Sequence, residues 1–485
     1  MLLALKTELS SIDVIGSRVV ENGNLIKHPP KGLAILAILG PSLIWAGEFI
    51  GSGEVILATR VGAILGPTVL WAIVVGVLLK FWIGMAGARY TVCTGEGMID
   101  MISRVPGPKN WGVWITLVAQ FAAGTIAIGS LATAAGIFVH SFIGIPPLLA
   151  GWLVTIFALA VVWSNAFDFL KIIMSLFVVI IVLGVVYVAI TVFPGISVLL
   201  KSLLFDVPEV PRWALAMDGI QPNPWREILP LLGWAAGGFA SQVWYTYWVI
   251  GAGYGATAGR GYGRPADETM LKAMSVDTAK KIKGWCRVVY GDASLAMIIG
   301  IVTTVGFLFA GAGVLRPNQL APEGPQVATT LATIFSSRWG SLGGTLFMIA
   351  GACALIGTQI GQLAGWPRLL ADSCRICFPK FNEKFEWKFQ FRLFLGYFFV
   401  TSMVIVYSFG LKPVLLVKIS AILEGLLLTP FQALWVFLGL YIVMPKMLSR
   451  EANSILKPHW IFATFLIVAF LVFGYFCVFQ MPFIW

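Results

Sequence analysis

The stretch Gly40-Pro41-Ser42-Leu43-Ile44-Trp45-Ala46-Gly47-Glu48-Phe49-Ile50-Gly51-Ser52-Gly53-Glu54 decides how this chain is read. It lies inside an apolar run, Leu33–Gly62, longer than the roughly 20 residues a helix needs to cross the hydrocarbon core of a bilayer. An uninterrupted membrane helix has no use for glycines and two carboxylates at its middle. Lipid cannot satisfy free N–H and C=O groups, so unwound backbone at that depth survives only against protein or a hydrated cavity. Glycines alone are explained by close helix packing. Glu48 and Glu54 are not, because intramembrane carboxylates are costly and usually functional.

A second stretch has the same character: Trp234-Ala235-Ala236-Gly237-Gly238-Phe239-Ala240-Ser241-Gln242, at the middle of another apolar run, Leu229–Gly253. In both, Trp-Ala stands seven residues ahead of a serine, Trp45 before Ser52 and Trp234 before Ser241. Interrupted helices at corresponding places in two halves of a chain point to a transporter site built on inverted repeats.

Outward from these stretches the chain is apolar throughout. Of its 485 residues 59% are hydrophobic and 11% charged, with mean hydropathy +0.89, against about 25% charged in soluble domains. Eleven spans are predicted, near Leu33–Gly62, Thr68–Arg89, Val113–Val139, Pro147–Trp163, Phe169–Val192, Leu229–Gly253, Val288–Gly313, Leu342–Ala364, Phe391–Gly410, Pro413–Val443 and Trp460–Phe479. With the N-terminus inside, 24 of the 33 Lys and Arg fall on its side, eight opposite, and Lys80 within the second span. That asymmetry places the N-terminal segment 1–31 in the cytoplasm and the C-terminus across the membrane. Residues 1–31 lack the apolar core of a signal peptide. Pro194–Ile228 is expected to form the main external loop, with a surface helix near Val198–Phe205.

The net charge of +11 sits in short loops, not in a patch interleaved with aromatics, so nucleic acid is not an expected partner. The expected partners are the lipid bilayer and a small ion or small-molecule substrate; no cofactor is expected, no enzymatic activity is read, and the oligomeric state is open. Six cysteines are scattered, and the single C-x-x-C, Cys374 and Cys377, lacks the second pair or histidines of a zinc site. The glycine-rich run Gly251–Gly263 follows no strand and is read as the exit from the sixth span, not a nucleotide loop.

The stretch Gly40–Trp71 resembles the first helix of the Nramp family of proton-coupled divalent-metal transporters, through Gly40-Pro41, Gly53, Gly62, Gly66 and Leu70-Trp71. Ala88-Arg89 with Thr94-Gly95, Gly144-Ile145-Pro146, Leu346-Phe347, Gly357-Thr358, Gly361-Gln362 and Pro430-Phe431 continue the resemblance in order, over roughly residues 32–445. It implies an all-α membrane protein of LeuT-type fold with 11 transmembrane helices. Two inverted five-helix repeats (about 32–193 and 229–445, helices 1 and 6 broken) form a ten-helix core, 32–445, and residues 446–485 add an eleventh helix.

The departures bear on substrate. Where the family has Asp-Pro-Gly-Asn, with Asp and Asn as metal ligands, this chain reads Gly51-Ser52-Gly53-Glu54. Where the sixth helix has Met-Pro-His, it reads Ser241-Gln242-Val243, within one residue, and neither Met nor His occurs between Leu229 and Gly253. The third span has no acidic residue for the family's proton route, Gln120 being its most polar long side chain, and His28, His140 and His459 are read as peripheral. Sulfur and imidazole ligands select manganese and iron, while oxygen ligands suit magnesium and calcium. The candidate substrate-binding residues are Glu48, Gly51, Ser52, Gly53 and Glu54 with Gly238, Ser241, Gln242 and Trp244. Glu54 is the candidate metal ligand.

Three readings stand at this point. One is a transporter moving something other than Mn²⁺ or Fe²⁺, either a hard divalent cation such as Mg²⁺ or a small organic cation. Another is a transition-metal transporter with a non-standard site, and the last a non-transporting receptor or sensor. An aromatic wall of Trp244, Tyr245 and Tyr247 suits an organic cation, although ordinary packing explains each ring singly. Lys80 is read as an ion-pair partner for a buried carboxylate or a snorkelling side chain. Glu424 is read as part of the pathway or paired with Lys418, which six residues' spacing disfavours.

Overall fold

The computed structural model describes residues 26–30, 32, 40–164 and 167–483. Most of the segment 1–31 and the opening of the first expected span, 33–39, thus lie outside the described residues. What is described is helical, with no strand among the described residues. Seven described helices are long and apolar enough to cross a membrane, and eight if Leu176–Thr191 is counted with Ile196–Ser202, bent from it by 111°. The expected eleven spans need, beyond these, the shorter Pro147–Trp163 and the two interrupted segments, whose halves are singly too short.

The first interrupted segment is α1 (Pro41–Phe49), a π-helical stretch Gly53–Ala58 and α2 (Thr59–Leu65). Gly66, at φ +79°, turns the chain into Pro67 and then α3 (Leu70–Thr94), which ends at the left-handed Gly95. Then follow α4 (Trp111–Ile143), α5 (Pro147–Ser164) and α6 (Phe167–Thr191). A short helix is present at Ile196–Ser202, overlapping the one expected near Val198–Phe205. The second interrupted segment is α7 (Trp225–Trp234) and α8 (Phe239–Ala252). Beyond it lie α9 (Val276–Ala310), α10 (Val327–Cys377, kinked at Gly340), α11 (Trp387–Phe409), α12 (Pro413–Ser420), α13 (Thr429–Leu438) and α14 (Trp460–Tyr475). Cys374 and Cys377 form the last turn of α10 and not part of the loop beyond it.

Both interrupted segments are in the centre and the outer helices wrap them. Leu183 and Ile190 on α6, Tyr407 on α11 and Leu471 on α14 stand 60–71% exposed. An apolar perimeter of this kind is what a lipid solvent requires. Inside, glycines bring backbones into direct contact: Gly425 meets the carbonyl of Gly233, and Gly62 meets that of Leu308.

Buried ion networks tie the elements at each face. At one face Glu227 takes a two-pronged contact from Arg60 (2.9 and 3.1 Å) and a third from Lys418 (2.6 Å). Arg60 also reaches Glu323 at 2.6 Å, so α2, α7, α12 and the loop after α9 are joined. At the other face Arg104 bridges Glu96 (2.8 Å) and Glu268 (2.5 Å), and Arg375 bridges Asp100 (2.7 Å) and Asp372 (3.0 Å). Tyr247 on α8 donates to Asp372 at 2.7 Å. Burial pushes the Glu96 carboxyl upward, whereas the hydrogen bond from Arg104 holds that of the exposed Glu268 below its usual range.

Candidate functional site

The helix of α1 stops at Ile50, where ψ swings to 79°. Gly51 N–H then donates to Phe49 O at 2.9 Å and to Glu54 Oε2 at 3.3 Å. Glu54 thus folds back to cap its own break. The chain re-enters through a π-helical stretch, a geometry often found at functional sites. No side chain fits at two of these positions. A Cβ on Gly53 would collide with the Trp234 indole, and one on Gly51 would come within 2.8 Å of Thr358 Oγ1. Ser52 Oγ is buried without a partner.

The second break is wider. Ala236 (φ +60°) and Gly237 (φ +74°) are both left-handed, which an alanine tolerates poorly and its surroundings must enforce. Gln242 Nε2 donates back to Ala236 O at 3.2 Å, and Ser241 Oγ accepts from Trp45 Nε1 at 2.9 Å, linking α8 to α1. Gly238 lies against Glu424, which sits in a π-helical stretch, Ala421–Leu427. The Glu424 carboxylate accepts from Ala240 N–H and from Gln120 Nε2 (2.7 Å), and Gln120 Oε1 accepts from Trp366 Nε1 (2.7 Å). Glu424 therefore caps α8 and has no contact with Lys418, which belongs to Glu227.

Beside the breaks lies a chamber of about 490 Å³, walled by α1, α6, α8, α9 and α10 and open at the apolar perimeter past Leu43, Val179 and Leu183. Its lining is apolar, with Ile44, Val182, Ile299 and Ile360 among the walls and Gly357 and Gly361 giving room. Glu48 is the one charged residue of the lining, beside Trp248. Ser241 and Trp248 are polar neighbours of Glu48, and Glu424 acts on it through space. Even so, Glu48 Oε2 and Trp248 Nε1 meet no hydrogen-bond partner.

The structure therefore sorts the nine candidates. Gly51, Ser52, Gly53 and Glu54 lie at the first break, and Gly238 closes the second with Ser241 and Gln242 in the first turn of α8 after it, Trp45–Ser241 and Gly53–Trp234 joining the two. Glu48 alone of the nine lines the chamber. Trp244 turns away, its ring 4.8 Å from Trp366 at 80°. Tyr245 stacks on Trp45 at 4.3 Å and donates to Asp292, which also accepts from Ser42 (2.8 and 2.7 Å). No group of three or more His, Cys, Asp or Glu among the described residues is placed to hold a metal ion.

Sequence reasoning gave no role to Asp292 and only two partial ones to Lys80. Lys80 in fact points from α3 into the second break, where its ammonium donates to the carbonyls of Gly233, Ala235 (3.0 Å) and Gly237 (3.0 Å). Among the described residues it makes no ion pair within 4 Å, and its ammonium turns inward to the break instead of snorkelling. The usable signal was a lysine at mid-span opposite a run of residues that leave carbonyls unpaired.

Residues 42–220 match the family model described as natural resistance-associated macrophage protein-like. No curated protein matches the sequence. Among solved structures the chain is similar to the Eremococcus coleocola manganese transporter in complex with an aromatic bis-isothiourea substituted compound. The TM-score is 0.61 at 14% identity, over 94% of this chain and 90% of that one. A histidine-to-alanine mutant of the same transporter gives 0.55 at 15% identity, over 95% and 93%. At such identities the likeness is one of fold.

Proposed function

We propose that this chain is a divergent member of the Nramp family and a secondary transporter whose cargo is a small organic cation and not Mn²⁺ or Fe²⁺. The observation that carries this reading is the Glu48 chamber: apolar walls, one carboxylate with an unpartnered oxygen, and an indole beside it. A chamber of about 490 Å³ is in the range of small-molecule pockets. A carboxylate and an aromatic face together are how proteins hold alkylammonium groups. A divalent ion asks for something else. Magnesium and calcium take six or more oxygens, whereas Glu54 and Glu424 are occupied by Gly51, Ala240 and Gln120.

A hard divalent cation is the second reading, favoured by the buried, unpartnered oxygens Ser52 Oγ and Gln242 Oε1. The manganese transport named for the structural neighbour is the third. We place the N-terminus and the basic loop Gly259–Arg287 in the cytoplasm, from the positive-inside asymmetry.

Proteoliposome flux separates these readings. Tetramethylammonium or ethylammonium uptake should be saturable and at least about tenfold weaker in Glu48→Gln, the loss of one charge–charge contact in a largely dry site. Calorimetry with Mn²⁺ at micromolar levels should show no heat. Uptake of Mn²⁺ or Mg²⁺ that Glu54→Gln abolishes would overturn the proposal. Absence of any flux, with the ammonium probes still bound, would favour a sensor.

A further inference from the structure

The half-helix α7 ends in mid-protein, and its last carbonyls have no partner of their own in the helix. At broken membrane helices such carbonyls and C-terminal half-helix ends are where cations are coordinated. Here the carbonyls of Gly233, Ala235 and Gly237 converge on a single point, and at that point stands the Lys80 ammonium. An ammonium has three donors and no acceptor, and all three find a carbonyl. Lys80 is 1% exposed, so bulk water does not reach it.

The surroundings add to the case. Glu54, at the first break, and Glu424, facing the second, both act on Lys80 electrostatically, and the Phe473 ring of α14 lies 5.7 Å from its nitrogen. One positive charge thus faces two carboxylates, three carbonyl dipoles and an aromatic ring. Gly76, one turn earlier on α3, would bring a Cβ within 3.1 Å of Leu232 O, so α3 is pressed close enough for the lysine to reach. A lysine serving as a mere ion-pair partner needs no such convergence of backbone carbonyls.

We infer that Lys80 is the protein's own cation at the second break, its ammonium filling the carbonyl cradle in which a free monovalent ion would otherwise sit. The chain carries the charge that holds the break together, and no inorganic ion has to bind there before cargo does. The inference is independent of the cargo, because the cradle is complete without one.

The test uses the full-length protein in detergent with no cargo present. Thermal midpoints are followed as N-methylglucammonium chloride is replaced, at fixed ionic strength, by LiCl, NaCl or KCl. Wild type should give the same midpoint in all four. Lys80→Ala should melt lower in N-methylglucammonium and recover by several degrees, saturably, with one of the small cations. Lys80→Gln, which keeps part of the length and two donors, should show the same rescue from a smaller deficit. A deficit in both variants that all four cations leave equally unchanged would reduce Lys80 to a structural cap and overturn the inference. So would saturable, stoichiometric binding of radioactive sodium to wild type that is lost in Lys80→Gln, a measurement that stands even if Lys80→Ala does not fold. Glu48-dependent ammonium flux moves independently of either result.

Discussion

Glu227→Gln should lower the stability of the protein by about 3 kcal/mol, the cost of removing one partner from a buried ion cluster. Glutamine keeps the shape and one acceptor but withdraws the negative charge that Arg60 and Lys418 both contact, each within 3.1 Å of it. Arg60 is fully buried and retains Glu323, while Lys418 is left with nothing of opposite sign within 4 Å among the described residues. The loss should therefore fall near the low end of the range for such deletions. Adding Lys418→Met should restore part of it, since the stranded ammonium is then gone. Thermal and chemical melts of the three proteins in one detergent check this. A single variant as stable as wild type would mean that the cluster contributes nothing net.

Gly425→Ala should be more damaging still, and should abolish folded protein or lower its midpoint sharply. The added methyl would overlap the carbonyl oxygen and carbon of Gly233, and these are backbone atoms with no rotamer to move to. Overpacking of well-packed cores costs about 1–3 kcal/mol, and more where nothing can yield. The contact also sets the distance between the π-helical stretch that carries Glu424 and the half-helix whose last carbonyls hold Lys80. Gly396→Ala on α11 and Gly474→Ala on α14 are the controls, since a methyl there meets nothing within 4 Å. Each should be neutral or stabilising by up to about 1 kcal/mol, the helix-propensity gain of alanine over glycine. Size-exclusion profiles and melts of all three variants give the comparison.

The overall architecture was legible because it is written locally. Two glycine-rich interruptions with polar neighbours can be seen at mid-span in a linear string, and the structure breaks the chain at both, at Ile50 and at Ala235–Gly238. The candidate site was legible only in part, for a physical reason. A residue's position along the chain fixes which break it belongs to, but not which way its side chain turns. Glu48 and Glu54 are six residues apart, and the unwinding between them sends one to the chamber wall and the other back onto Gly51. The aromatics after the second break are divided by helical phase: Trp248 faces the chamber and Trp244 faces Trp366. The long-range partners were out of reach altogether. Gln120 and Glu424 are 304 residues apart, and Ser42 and Asp292 are 250 apart. Lys80 was the hardest, because its partners are carbonyls and every residue has one.

Glu227 serving two cations, and Arg104 and Arg375 each serving two carboxylates, has a mechanical corollary. Where one ion answers to several neighbours, loosening any of them unsettles the rest, so neither side of the molecule can come ajar by degrees. In the transport cycle proposed above, each would act as a latch, fast or undone, and opening toward either side would require one whole cluster to let go.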